Sequence, residues 1–289
     1  MGDLKMLIGS VVVLYNPTED EIKNINFYIN KVDYAFVIDN SSKDSSELMK
    51  KYIDDVNKLS YIHNAENVGL CRALNQGVKL AVKNGCQWTV VFDADSRMST
   101  DVFEIYSNTI EKYKNIENVA VFAPQHSFHR NKKNIYSGYK EIDWAMTSGW
   151  LINNDVFKKM NGFFEPLFVD GLDLDYCYYA REKGYKIIEC GEAMIDHHPA
   201  ISKTFRFLFM NIQLGTASPF RYYLQAKCLV WDYKRYHHFF DLKMYFIKWV
   251  KVLLFFDNKK EYMKNMLLGT IDGVKLHKKF KQGLYPNRI

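Results

Sequence analysis

The stretch Trp88-Thr-Val-Val-Phe-Asp93-Ala-Asp95-Ser96 opens as an apolar run and closes on two carboxylates. A short β-branched run of this kind predicts a buried strand over residues 88–92. If the segment stays extended past Phe92, side chains at i and i+2 point the same way. Asp93 and Asp95 are then expected to approach one hard cation together, leaving positions open for diphosphate oxygens. The competing reading is a solvated turn that follows a strand.

Upstream of this stretch lies the clearest helix pattern in the chain. Leu70, Ala73, Leu74, Gly77, Val78 and Ala81 recur at i, i+3, i+4 spacing, and Gly85 supplies a stop. Asn67-Val68-Gly69 precedes it. Further upstream, residues 59–63, 35–38 and 10–15 read as strands. The second ends at Asp39-Asn40-Ser41-Ser42 and the first at Asn16-Pro17. Thr18-Glu-Asp-Glu21 is a capping box that starts a helix, and a further helix is predicted to open over residues 44–47. Repeated strand–helix units imply a mostly parallel, Rossmann-like sheet with helices on both faces. Such sheets bind ligands at the carboxyl ends of their strands. The polar clusters Asn16, Asp39-Asn40, Asn67 and Asp93/Asp95 all fall at predicted strand ends.

Downstream, residues 101–115 read as a helix and 119–124 as a strand. Residues 125–143 read as a loop or exposed hairpin, residues 145–153 as a strand, and 155–160 as a short helix. Residues 172–183 read as a helix ended by Gly184, and 186–189 as a strand. From about residue 201 onward the pattern turns helical and aromatic. Two domains are expected, a catalytic one over 1–202 and a basic, aromatic helical extension over 203–289.

With 48% hydrophobic residues in 289, a packed core is expected rather than disorder. The cysteines Cys71, Cys86, Cys177, Cys190 and Cys228 show no metal or disulfide spacing, which fits a reducing compartment. No signal peptide and no spanning helix are predicted, so a cytoplasmic protein is expected, with contact to the inner face of the cell membrane left open. The net charge of +6 is uneven. Residues 203–289 hold 17 Lys and Arg against 5 Asp and Glu, a local excess of +12. No nucleic-acid-binding module accompanies this basic region, so nucleic acid is not an expected partner.

The ordered segments Val11-Val-Val-Leu-Tyr-Asn-Pro17, Val37-Ile-Asp-Asn-Ser-Ser42, Asn67-Val-Gly-Leu-Cys-Arg-Ala-Leu-Asn-Gln-Gly77 and Phe92-Asp-Ala-Asp-Ser96 resemble a known family. So do Thr147-Ser-Gly149, Phe168-Val-Asp-Gly-Leu-Asp-Leu-Asp-Tyr-Cys177 with Arg181 and Gly184, and Ser218-Pro-Phe-Arg-Tyr-Tyr223. Together they resemble the inverting family 2 glycosyltransferases of GT-A fold, closest to the rhamnosyltransferase-like branch of bacterial polysaccharide assembly.

The resemblance implies nucleotide contacts from Tyr15, Asn16, Asp39, Asn67, Gly69, Arg72 and Asp93. Asp39 reads equally as the acceptor of an Asx-turn, and Arg72 as a solvated side chain. Asn75 also lies on the polar side of its helix, where it could face the nucleotide. Asp95, with Asp93, is implied to hold Mn2+ or Mg2+. His197 is favoured over His198 as a third ligand. Three carboxylates, Asp170, Asp173 and Asp175, cluster where the family places its general base, and the family spacing to Cys177 and Arg181 selects Asp173. Acidic residues also suit a first helical turn for dipole reasons alone. Ser148, Gly149, Trp150 and Asp170 are implied at the sugar or acceptor, with core packing the alternative for Trp144 and Trp150.

The implied reaction moves a sugar from a nucleotide diphosphate donor, dTDP-rhamnose favoured and UDP-sugars open, to a saccharide or lipid-linked acceptor. The apolar run Tyr245-Phe-Ile-Lys-Trp-Val-Lys-Val-Leu-Leu-Phe-Phe256 suits an anionic membrane surface, a homodimer contact or packing on the catalytic domain. Two rival functions remain at this level. One is an aspartate-nucleophile phosphatase using Asp93 and Asp95, and the other is a non-catalytic nucleotide-sugar-binding protein.

Overall fold

The computed structural model describes residues 6–127, 136–196, 202–207 and 210–286. The chain divides into two compact units, one of Met1–Glu165 with Tyr176–His198, the other of Pro166–Asp175 with Pro199–Ile289.

In the first unit, β1 (Ile8–Leu14) leads through α1 (Glu19–Asn24) and α2 (Asn26–Ile29) to β2 (Tyr34–Asp39). Then follow α3 (Ser46–Tyr52), β3 (Leu59–His63), α4 (Leu70–Lys83) and β4 (Trp88–Asp93). The capping box forms as the residues require: Glu21 N donates to Thr18 Oγ1 at 3.3 Å, and Thr18 N donates to Glu21 Oε2 at 2.6 Å. In α4 the apolar stripe Ala73, Leu74, Gly77, Val78 and Ala81 is buried. A Cβ on Gly77 would lie 2.3 Å from Val11 Cγ1, so only glycine lets this helix lie so close to β1.

The unit continues through β5 (Arg97–Met98), α5 (Val102–Lys112), β6 (Val119–Ser127), β7 (Tyr139–Glu141), β8 (Trp150–Asn153) and α6 (Asn154–Lys159). It closes with α7 (Leu172–Glu182), whose first turn belongs to the second unit, and β9 (Lys186–Asp196). The nine strands form one sheet in the order β3-β2-β1-β4-β8-β6-β9-β5, with β7 on β9. The run β3-β2-β1-β4 is parallel. β8 enters antiparallel between β4 and β6, and β6 pairs parallel with β9. Val11, Val12 and Leu14 of β1 are almost fully buried, as a strand covered on both faces requires.

Two sequence expectations need correction. The strand predicted over 145–153 begins only at Trp150, because Gly149 takes a left-handed backbone (φ 81°) just before it. The C-terminal region is not wholly helical. In the second unit, β10 (Ser202–Phe207) and β11 (Met210–Gly215) form an antiparallel pair before α8 (Pro219–Tyr236), α9 (Phe239–Phe255) and α10 (Lys259–Lys281). Strands of six residues beside helices rich in Phe and Tyr carry no periodicity that separates them. A satellite core of Tyr222, Ala226, Val252, Phe256 and Met266 joins the three helices. None of the five cysteines is in a disulfide and all are buried. Among the described residues no helix is long and apolar enough to cross a membrane.

Candidate active site

Because β3, β2, β1 and β4 are adjacent and parallel, their carboxyl ends lie side by side, and hydrogen bonds tie the loops there together. Asn40 N donates to Leu14 O at 2.8 Å, and Asn16 N to Ser41 Oγ at 2.7 Å. Asn40 Nδ2 donates to Gly69 O at 3.3 Å, and Asn64 Nδ2 to Asn40 Oδ1 at 2.9 Å. Asn67 Oδ1 accepts from Gly69 N at 3.0 Å, which sets the entry to α4. Tyr15 and Arg72 are exposed.

Asp39 is completely buried. Oδ1 accepts from Ser41 N at 2.9 Å, and Oδ2 from Tyr61 Oη at 2.7 Å and Ser45 N at 3.2 Å. The Asx-turn is therefore present. Burial alone would raise the pKa of this carboxyl, but the bonds from Ser41, Tyr61 and Ser45 prevail and hold it below its ordinary value. Asn75 does not face the loops. Its amide is buried, accepting from Phe163 N at 2.8 Å and donating to Phe163 O at 2.9 Å.

At β4 the strand ends with Asp93. Ser96 N donates to Asp93 O at 3.1 Å, so residues 93–96 form a turn rather than an extended segment. The strand-parity argument therefore does not apply. Asp93 is half-buried whereas Asp95 is exposed. Two side chains fix the turn. Asn24 Nδ2 on α1 donates to Ala94 O at 3.1 Å and Ser96 O at 2.6 Å. Ser148 Oγ accepts from Asp93 N at 3.1 Å and donates to Ser96 Oγ at 2.7 Å. His126 Nε2 lies 2.9 Å from Ser148 O. Sequence reasoning missed Asn24, Ser96 and His126 as supports, since each acts through contacts distant in sequence. A cavity of about 520 Å³ opens beside the turn between Asn24, Phe27, Arg97 and Thr100. None of the predicted site residues lines it.

The residues implied at the sugar separate. Ser148 is buried and supports the Asp93 turn. Gly149 N donates to Val91 O at 2.7 Å, and its carbonyl accepts from Tyr106 Oη at 2.6 Å. The Trp150 ring is fully buried and packs on Phe163 and Tyr176, with centroids 6.4 and 5.7 Å away, as the core-packing alternative has it. All four residues of β8 are buried, Trp150 among them. His197 and His198 lie outside the described residues. Among the described residues no group of three or more His, Cys, Asp or Glu side chains is arranged to hold a metal ion. Asp93 and Asp95, as oxygen donors on one turn, match the chemistry of a hard divalent cation.

In the second unit the three candidate carboxylates differ in their surroundings. Asp170 pairs with Arg221 at 2.9 Å, and burial raises its pKa against the opposing charges of Arg221 and Lys248. Asp175 is fully buried and accepts from Trp231 Nε1 and Tyr236 Oη, each at 2.9 Å. Asp173 is half-exposed at the start of α7 and caps locally, its Oδ1 accepting from Leu174 N at 3.0 Å. Ser218 and Pro219 start α8 and place Arg221 on Asp170.

A parallel half-sheet with polar loops at its carboxyl edge, extended by mixed strands and carrying an Asp-x-Asp turn, is the arrangement of GT-A glycosyltransferases. Two solved structures are similar to it in fold: GalNAc-T7 with UDP, GalNAc and Mn2+ (TM-score 0.53, 14% identity, 68% of this chain and 44% of that one), and S. aureus TarS 1-349 in complex with UDP (TM-score 0.52, 12% identity, 90% and 70%). The chain belongs to glycosyl transferase family 2, whose family model matches residues 18–166. It is similar to the dTDP-rhamnosyl transferase RfbF of Shigella flexneri, 24% identical over 93% of this chain and 95% of that protein. It is also similar to the low-salt glycan biosynthesis hexosyltransferase Agl10 of Haloferax volcanii, 22% identical over 92% and 90%. It is thus a glycosyltransferase, and the phosphatase reading loses its support.

Proposed function

We propose that the chain is an inverting, metal-dependent transferase that moves rhamnose from dTDP-rhamnose to a saccharide or lipid-linked acceptor during polysaccharide assembly at the inner face of the membrane. The observation that carries the donor part is the Asp93–Ser96 turn, clamped by Asn24 and Ser148 at the edge where the β1, β2 and β3 loops meet. Tyr15, Asn16, Asn67, Gly69 and Arg72 line the nucleotide in this reading. Asp39 shapes their loop and offers its remaining lone pairs. Asp93 lies by the ribose, and Asp95, with Asp93 and His197, holds Mn2+ or Mg2+. When bound, that cation neutralises charge on the departing diphosphate.

Asp173 takes the proton of the acceptor hydroxyl as that oxygen attacks the anomeric carbon. Supporting this choice, Asp170 is engaged by Arg221 and Asp175 is buried beneath Trp231 and Tyr236. The similarity to the rhamnosyl transferase favours the rhamnose donor. The test is incubation with labelled dTDP-rhamnose, UDP-glucose and UDP-galactose, with and without manganese. Metal-dependent consumption of dTDP-rhamnose above the others, giving a product of inverted anomeric configuration, supports the reading. Consumption of a UDP-sugar alone, or retained configuration, overturns the corresponding part.

A further inference from the structure

Helix α9 is built inside out. Its Asp241 is fully buried, and burial lowers the pKa of the Lys248 ammonium. Its exposed face instead carries Phe239, Phe246, Ile247, Val250, Leu253 and Leu254, each 43–73% exposed. At 100° per residue these positions fall on one side of the helix, and the only exposed charge on α9 is Lys243, in their midst. α10 has a related face. Leu267, Leu268, Ile271 and Val274 are 42–52% exposed in its middle. The exposed Lys260 and Lys264 precede them by one to two turns, and Lys275 and Lys278 follow on the same side. Single exposed apolar residues are ordinary, but faces this continuous mark a contact surface.

The charge pattern selects what that surface meets. If α10 formed a twofold contact with a second copy, antiparallel helices would set Lys260 and Lys264 opposite the partner's Lys275 and Lys278. A parallel contact would set each lysine opposite itself. Both arrangements bring like charges together. An anionic lipid surface instead accepts the apolar side chains among its acyl chains while its headgroups meet the lysines. We propose that α9 and α10 form a docking surface for a membrane rich in anionic lipid. The inference rests on the transferase reading only in that such a membrane would carry the lipid-linked acceptor.

The full-length chain, without donor, is tested by co-sedimentation with phosphatidylcholine vesicles and with vesicles containing about 30 mol% phosphatidylglycerol, at low and high salt. Binding to the anionic vesicles alone, weakened by salt, is expected. Phe246→Ser/Val250→Ser on α9 and Lys260→Glu/Lys264→Glu on α10 should each weaken it by about tenfold or more. Light scattering and donor hydrolysis are measured on the same proteins. Equal binding to both vesicle types, no binding, or a dimer that Phe246→Ser/Val250→Ser turns into monomers would overturn the proposal. Vesicle binding without hydrolysis of dTDP-rhamnose would leave the docking surface standing and count against the rhamnose-donor reading. Hydrolysis without vesicle binding would do the reverse.

Discussion

Asn24 Nδ2 lies 2.6 Å from Ser96 O, so a side chain at the end of the first helix holds the turn that presents Asp93 and Asp95. The same amide reaches Ala94 O at 3.1 Å. A net hydrogen bond contributes about 1 kcal/mol, and an orphaned acceptor costs more. Asn24→Ala should therefore lower stability by about 1–2 kcal/mol and weaken manganese-dependent donor affinity. Calorimetric titration with and without manganese checks the affinity. An unchanged affinity would mean that the turn keeps its shape without this clamp.

Asp95→Ala and Asp173→Asn should fail in different ways. The first is expected to lose the metal-dependent part of donor binding. The second should bind donor as the parent does while transfer falls by about 10²–10⁴, the usual contribution of a general base. Donor Kd by calorimetry and kcat by product formation separate the two. Parent-like turnover by Asp173→Asn would remove the base assignment.

Asp39 links the loop after β2 to pH. Its folded pKa is lowered, so below its unfolded value the unfolded chain binds more protons. Stability then rises with pH. The contribution is fully present above about pH 4 and is lost as pH falls through the lower folded value. Asp39→Asn should flatten urea-unfolding stability across that acidic window. A slope matching the parent's would assign the acid sensitivity to other carboxylates.

Gly149→Ala tests the junction between the turn support and the core. The added Cβ would sit 2.1 Å from Ile195 Cδ1 and 2.8 Å from Pro124 Cγ, on a backbone with φ 81°. Strain and overpacking together should cost about 2–4 kcal/mol, read from the denaturation midpoint.

Trp150→Ala should cost about 3–5 kcal/mol by opening a cavity. Donor affinity per folded molecule should be unchanged. A selective loss of affinity with stability intact would restore a sugar-stacking role to this ring.

Much of the donor-side scaffold was legible from periodicity. The Thr18 capping box, the α4 stripe and the apolar runs of β1, β2 and β4 are local patterns whose meaning needs no distant partner. The carboxylate at Asp93 was legible as a strand end, but the geometry after it was not. Parity assumed an extended backbone, and the Ser96-to-Asp93 hydrogen bond makes a turn instead. Trp150 shows a different limit. A tryptophan beside Ser148-Gly149 reads equally as a platform or as core, and only the packing of Phe163 and Tyr176 decides.

By itself the sequence determined the order of strands and helices as far as β4 and the carboxylates available, because hydrophobic period and capping act over a few residues. It also determined the basic excess of the last third, since charge is additive along the chain. Tertiary structure alone decided which carboxylates are committed to internal partners, as with Asp175 under Trp231 and Asp170 on Arg221. It alone decided that α9 turns its apolar side outward. Hydrogen-bond partners and exposure depend on chain segments far apart in sequence, and no local pattern carries that information.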